Sequence, residues 1–361
     1  MKLTIEQPAL ASALAKVTGI IETKNTLPIL ANVLIAAEDN QLTIRATDLD
    51  IEVTTRVECT VDKPGSTTLD AKILSDGVKR LAKGSQVVID ATDTKCDVTS
   101  GRRKFSLAQL PASDFPTIAS EEYDSSFAIS IDDLSRLFGK SAFAMSTEEV
   151  NYYLNGIYLH PTNDGITAVA TDGHRLAKVW SDQNEDFQGV IVPRKTVGIV
   201  RNVFTIGDVE LSISGGKIRI DAGDTVIVSK VIDGNFPDYD RIIPQSMPNS
   251  FRVDAVEFAS ACAAVAIVCE DKKSRAVAMD IGDDAVRLEV AGHVNDAEDV
   301  VDAYVSGDPV RIGFNSRYLA DAMAQAEGGD MIVHYKGPGD PALMKPTDDD
   351  KMLIVVMPVR V

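Results

Sequence analysis

A pattern that recurs twice at a spacing of 124 residues constrains this 361-residue chain more than any other feature. Leu3, Ile5, Leu10 and Leu14 open it, and the same offset leads to Phe127, Ile129, Leu134 and Phe138, then to Phe251, Val253, Phe258 and Cys262. Each set has two alternating apolar residues, a polar gap, and apolar residues four apart. That is the signature of a short strand feeding an amphipathic helix. Ala46-Thr47-Asp48 returns as Ala170-Thr171-Asp172, and a second strand-then-helix pattern appears at 67–81, 189–203 and 309–323. A period of this length is a domain, not a solenoid unit. The chain therefore reads as three domains of one fold, at 1–121, 126–246 and 250–361. Alternating runs such as 41–61 and 217–232 predict antiparallel strands, with EDNQ, TNDG and GDDA (38–41, 162–165, 282–285) as hairpin turns. The predicted class is α+β: three repeated domains, each with two helices packed on antiparallel sheets.

The net charge of −18 argues against a protein that grips nucleic acid over its whole surface. The charge is nevertheless sorted. Segments 9–21, 71–83, 134–146 and 194–203 carry +1, +3, +2 and +3, and the acid lies in strands and turns. Basic helices on repeated domains suggest one electropositive surface suited to a phosphate backbone read without sequence. Solvated surface explains a single basic helix equally well. The third domain fits less well: 256–268 holds only Glu257, and Lys272 and Lys273 after it are offered as substitutes.

Catalysis finds little support. His160, His174, His293 and His334 do not group, the acids are dispersed, and no second ligand stands at metal-site spacing from His174. A DNA-processing enzyme remains the competing reading, separable by assaying nuclease or polymerase activity without partners. Cys59, Cys96, Cys262 and Cys269 form no CxxC pair and read as reduced thiols of a cytoplasmic protein. The start lacks the apolar stretch of a signal peptide, and no apolar run reaches membrane-helix length. No cofactor and no membrane association are expected.

Several motifs together carry a resemblance: LPIL (27–30), TDLD (47–50), YYLNG (152–156), TDGHRLA (171–177), FPDY (236–239), IGFN (312–315) and the tail VVMPVRV (355–361). In this order, over the whole chain and with the threefold repeat, they resemble the bacterial DNA polymerase III β subunit family, the sliding clamps. The resemblance implies a non-catalytic processivity subunit. Two copies would close head to tail into a ring of six domains around double-stranded DNA, helices lining the hole and sheets outside. It implies binding of DNA polymerase subunits, clamp loader and repair proteins through short peptides. The implied peptide pocket comprises Leu154, Thr171, Gly173, His174, Arg175, Leu176, Pro237, Arg241, Ile242, Asn315, Tyr318 and the tail Val355, Val356, Met357, Pro358, Val359 and Arg360. Implied DNA contacts are Lys24, Arg80, Tyr152, Tyr153, Arg194 and Lys195; interdomain packing is an equal alternative for the tyrosines. The ring interface is expected to set Arg102, Arg103, Lys104, Phe105 and Leu107 against Ile267, Val268, Asp296, Glu298, Asp299 and Asp302, opposite charges around an apolar centre. Two departures stand out. Asn151 follows Glu148 and Glu149 where relatives often carry a basic residue, and the Pro- and acid-rich 337–350 predicts an altered pocket wall. An accessory clamp paralogue of a plasmid or phage would share all these features and differ in its partners.

Overall fold

The computed structural model describes residues 1–22, 27–119, 122–270, 275–292 and 294–361. Lys24, His293, Lys272 and Lys273 lie outside the described residues. Among those described there are six α-helices, two in each third of the chain: α1 Gln7–Thr18, α2 Ala71–Lys79, α3 Ile131–Ser141, α4 Arg194–Val203, α5 Ala255–Val265 and α6 Ser316–Met323. None is long and apolar enough to cross a membrane.

Four of the six helices start behind a strand-end side chain that caps them, whereas Glu6 and Pro193, before α1 and α4, make no such bond. Asp70 accepts from the Ile73 amide at 2.7 Å, Ser130 from Asp133 at 3.0 Å, and Asp254 from Val256 and Glu257 at 2.9 and 2.8 Å. Each satisfies backbone donors left open in a first helical turn. Ser130 and Asp254 are 124 residues apart, so the cap recurs in two copies of the repeat, whereas Glu6 at the equivalent position of the first copy makes no such bond. Leu10, Ala13, Leu14 and Val17 form the buried stripe of α1, which rests on strands Gln41–Thr47 and Ile51–Glu58.

The chain divides into two compact units. The first comprises 1–135 and 186–232. It holds a five-stranded antiparallel sheet that runs from Thr60–Lys63 through Lys2–Glu6, Gln86–Ala91 and Cys96–Ser100 to the edge strand Arg103–Leu107. Its second sheet joins strands of two thirds of the chain, because Ile51–Glu58 pairs with Thr225–Lys230 in continuous register, Ile51 opposite Ser229 and Thr55 opposite Thr225. The second unit comprises 136–185 and 233–361. There Gly156–Thr162, Gly165–Thr171, Arg175–Trp180, Met352–Val356, Ala342–Pro346, Asp330–Tyr335, Asn249–Asp254 and Tyr304–Ser306 follow one another in one sheet. A four-stranded sheet runs from the edge strand Asp296–Asp302 through Ala285–Ala291 and Ala276–Gly282 to the other edge, Val310–Asn315. Alternation places Val33, Ile35, Leu42, Ile44, Val277, Met279, Val286 and Leu288 in the cores.

Segment 337–350, expected to reshape a wall, is a regular part of this architecture. Ala342–Pro346 pairs with Asp330–Tyr335 on one side and with Met352–Val356 on the other. Its prolines lie off the ladder or at its end, where a missing N–H costs little.

Candidate functional site

The repeated Ala-Thr-Asp closes the same turn twice. Thr47 donates its hydroxyl to the Ile51 carbonyl at 2.9 Å and accepts from the Leu49 amide, and Asp48 Oδ1 accepts from the Asp50 and Ile51 amides. Thr171 donates to the Arg175 carbonyl at 2.7 Å and accepts from Gly173, and Asp172 Oδ1 accepts from His174 and Arg175. The third turn residue needs positive φ: Gly173 adopts it freely at 87°, whereas Leu49 adopts it at 80° against its own Cβ.

In the second copy this turn feeds a charged node. Arg175, only 9% exposed, donates from Nε to Asp172 Oδ2 at 3.0 Å and from Nη1 to Asp321 Oδ2 of α6 at 2.6 Å. Its guanidinium lies 4.6 Å from the Tyr318 ring centroid and 5.4 Å from that of Phe143. A planar cation between two rings and two carboxylates is a geometry that Arg fills and Lys does not. Exposed His174 stacks on Tyr318 with centroids 6.1 Å apart. Asn315 holds the start of α6 by accepting from the Arg317 and Tyr318 amides.

Beside the node lies an apolar cluster of Val169, Leu176, Tyr239, Leu343 and Val355, flanked by half-buried Tyr158, Phe236, Ile243, Met247 and Leu353. Leu176 and Val355 are cross-strand partners, so the strand entering the tail is part of this surface. The tail continues past it in two steps: the Met357 amide donates to the His174 carbonyl and the Val359 amide to the Gly313 carbonyl, each at 2.8 Å. Between them Pro358 has no amide to donate, and Met357 is half-buried. Tyr239 OH bonds His160 Nε2 at 3.1 Å, and His160 stacks on Tyr158 at 4.4 Å. Burial pushes the Tyr239 phenol up and holds the His160 imidazole below its ordinary range, so this pair is neutral near pH 7.

Thr171, Arg175, Leu176, Tyr318, Asn315, Val355, Val356 and Met357 are thus brought to one place. Leu154 is buried in a short helical turn, and Pro237 is half-buried. Ile242 and Arg241 are exposed; Ile243, not Ile242, packs on the cluster, and Arg241 pairs with Asp238 at 2.7 Å. Arg360 is exposed. The sequence reading missed Phe143, Asp321, Gly313 and Leu343. Phe143 and Asp321 gave no signal because their partner, Arg175, is distant in the chain; Gly313 lies inside the IGFN motif, whose local pattern does not reveal the tail closing on it.

Comparison with known proteins bears on the whole chain. Models of the N-terminal, central and C-terminal domains of the DNA polymerase III beta subunit match residues 1–119, 128–238 and 240–360 in that order. The chain belongs to the DNA polymerase III beta subunit family. The beta sliding clamp of Caulobacter vibrioides is 39% identical over 373 residues, covering 100% of both chains, and that of Vibrio cholerae is 34% identical with the same coverage. A solved sliding clamp of Bartonella birtlesii, bound to griselimycin, superposes with a TM-score of 0.96 at 37% identity and covers 100% of both chains.

As a clamp-family chain it has two further surfaces to account for. On the first, Arg80 is exposed just past α2, and Lys72, Lys79 and Lys83 on and after that helix are exposed as well. Tyr152 is exposed and meets half-buried Tyr153 edge-on at 5.8 Å. Arg194, partly buried, is held below the ordinary Arg range by that burial. Lys195 bonds Asp48 and Glu22, the latter at 2.8 Å. Burial alone lowers its pKa, but these carboxylates outweigh it and leave the ammonium above its usual range. Other cations assigned to the basic helices are also engaged: Lys16 with Asp224, Arg136 with Asp349 and Lys140 with Glu327. Formal helix charge therefore overstated the free positive charge.

On the second, Arg103, Lys104, Phe105 and Leu107 lie on the edge strand of the five-stranded sheet, and Asp296, Glu298 and Asp299 on an edge strand of the four-stranded one. Arg102 is exposed in the turn before Arg103. Phe105 packs over α2 where Gly77 has no side chain; an added Cβ there would meet its ring at 3.7 Å. Ile267 is exposed after α5 and Val268 half-buried. Lys104 pairs with Asp97 at 3.0 Å, and Glu298 with Arg287, within the chain.

Proposed function

We propose that this chain is a non-catalytic ring subunit: two copies close head to tail around double-stranded DNA, and the surface on Arg175, Leu176, Tyr318 and the tail tethers partner proteins. The observation that carries this reading is the full-length match to the three beta-subunit domains, in order. We place the domains at 1–121, 126–246 and 250–361, the protein in the cytoplasm, and its partners among polymerase subunits, the clamp loader and repair proteins.

Closure uses the two edge strands. An edge strand presents unpaired backbone groups that a second strand can satisfy. Here one edge strand carries Arg103 and Lys104, with Arg102 in the turn before it, and the other carries Asp296, Glu298, Asp299 and exposed Val300, with Ile267 exposed after α5. Complementary charge fixes direction and register, and the apolar residues supply burial. The Arg103→Glu variant is expected to shift the dimer towards monomer in sedimentation at micromolar protein and moderate salt, and adding Glu298→Arg to restore part of the loss. A wild-type chain that sediments only as monomer contradicts the ring.

DNA contact is weak and electrostatic. Each phosphate neutralised releases a counterion, so each contact adds about one to the slope of log K against log salt. Exposed Arg80 is expected to count fully: Arg80→Ala lowers the slope by about one. Lys195→Ala lowers it by clearly less, because Asp48 and Glu22 already compensate that charge. Equal slope losses for the two variants, read from titrations at several salt concentrations, contradict this ranking.

The peptide surface is an apolar cleft with a few polar orienters beside a strand, which suits an extended segment.

A further inference from the structure

Gly313 lies in the middle of the edge strand Val310–Asn315, between fully buried Ile312 and Phe314. One side of that strand pairs with Ala276–Gly282, where Gly313 faces Ala278. On its other side Val359 of the tail forms an antiparallel bridge with Gly313, its amide donating to the Gly313 carbonyl at 2.8 Å. The approach is possible only without a side chain. A Cβ on residue 313 would stand 2.5 Å from the Val359 carbonyl oxygen and 2.4 and 2.8 Å from the two Val361 methyls. The first is backbone and cannot rotate away. Two residues further along, Asn315 caps α6, which carries Tyr318 and Asp321 to Arg175. The strand thus holds the tail with one residue and the charged node with the next few.

We propose that Gly313 is a positioning residue of the peptide surface: its missing side chain lets residues 357–361 lie along the strand edge and fixes Met357 at the His174 carbonyl. The proposal rests on the tail forming part of the peptide site. Any side chain at 313 lifts the tail from the edge, breaks the Val359 bond and leaves Met357 held by the His174 carbonyl alone.

The test uses the full-length chain, Gly313→Ala, a chain ending at Val356, and that shortened chain with Gly313→Ala. Hydrogen exchange of the C-terminal segment reads the tail. Fluorescence anisotropy with a labelled synthetic peptide bearing a glutamine and two hydrophobic residues reads the site, and a melting curve reads general stability. In Gly313→Ala, exchange of the tail amides is expected to quicken about tenfold and peptide affinity to fall about tenfold, the scale of one backbone hydrogen bond. In the shortened chain Gly313→Ala leaves Tm unchanged. Unchanged tail exchange in Gly313→Ala overturns the proposal, as does an equal loss of Tm in both backgrounds, which assigns Gly313 to strand packing alone. If the shortened chain binds peptide as the full chain does, the site reading fails, and faster tail exchange in Gly313→Ala still establishes the Gly313–tail contact. If shortening abolishes binding and Gly313→Ala leaves it intact, the site reading stands and the proposal falls.

Discussion

A chain ending at Val356 is expected to lose peptide binding and to keep its dimer. Val355 and Val356 remain in their ladder with Leu176 and Arg175, so the sheet beneath the site survives. What goes is Met357, a flexible apolar side chain fit to meet several different peptides, and the strap beyond it. Burying a Leu-sized anchor contributes roughly 1.5–3 kcal/mol, and ordering costs take back much of what two anchors supply, so full-length affinity is expected near micromolar. Removing one wall at about 2 kcal/mol weakens binding about thirtyfold, out of range for an exchanging partner. The edge strands Arg103–Leu107 and Asp296–Asp302 are untouched by the deletion. Anisotropy and sedimentation on one preparation separate the two effects; unchanged peptide binding would place the pocket elsewhere.

Arg175→Ala is expected to be the most damaging single substitution at the site. It strands Asp172 and Asp321 and removes the cation held between Tyr318 and Phe143. Breaking a fully buried pair from one side costs about 3–5 kcal/mol; with Asp321 more than a third exposed, about 2–3 kcal/mol is expected here. Arg175→Lys keeps the charge and loses the two-pronged contact and the stacking, so it should recover less than half of the loss. Denaturant unfolding of the three proteins checks this, and a stability loss in Arg175→Ala within 0.5 kcal/mol of zero, the ordinary surface effect, contradicts it. Peptide affinity should fall as well, because the node anchors α6 to the 171–175 turn.

Much of this was legible in the sequence because the physics that carries it is local. The 124-residue period showed a repeated domain, and the strand-end caps Ser130 and Asp254 lie on that period. Ala-Thr-Asp recurred on that period, and the turn it forms has the same hydrogen bonds in both copies. What stayed hidden depends on distant partners. The merging of Ile51–Glu58 with Thr225–Lys230 has no local signature. The neutralisation of Lys195 by Asp48 and Glu22 joins residues 147 and 173 positions apart, so counting charges along a helix overestimated its free cations. At 337–350 composition did not reveal that the prolines and acids flank a strand that supplies Leu343 to the apolar cluster. At Ile242 and Ile243 the motif gave the neighbourhood but not which of two adjacent isoleucines turns inward.

In the proposed ring, an acidic chain works on DNA because it surrounds it. The direct measurement is retention after loading by a clamp loader onto nicked circular DNA, at salt high enough to suppress the exposed lysines and arginines. The ring account predicts that the protein stays on the circle and is lost when a single cut linearises it, with free ends to slide from. Equal retention on circular and linear DNA, or equal loss from both, would contradict it.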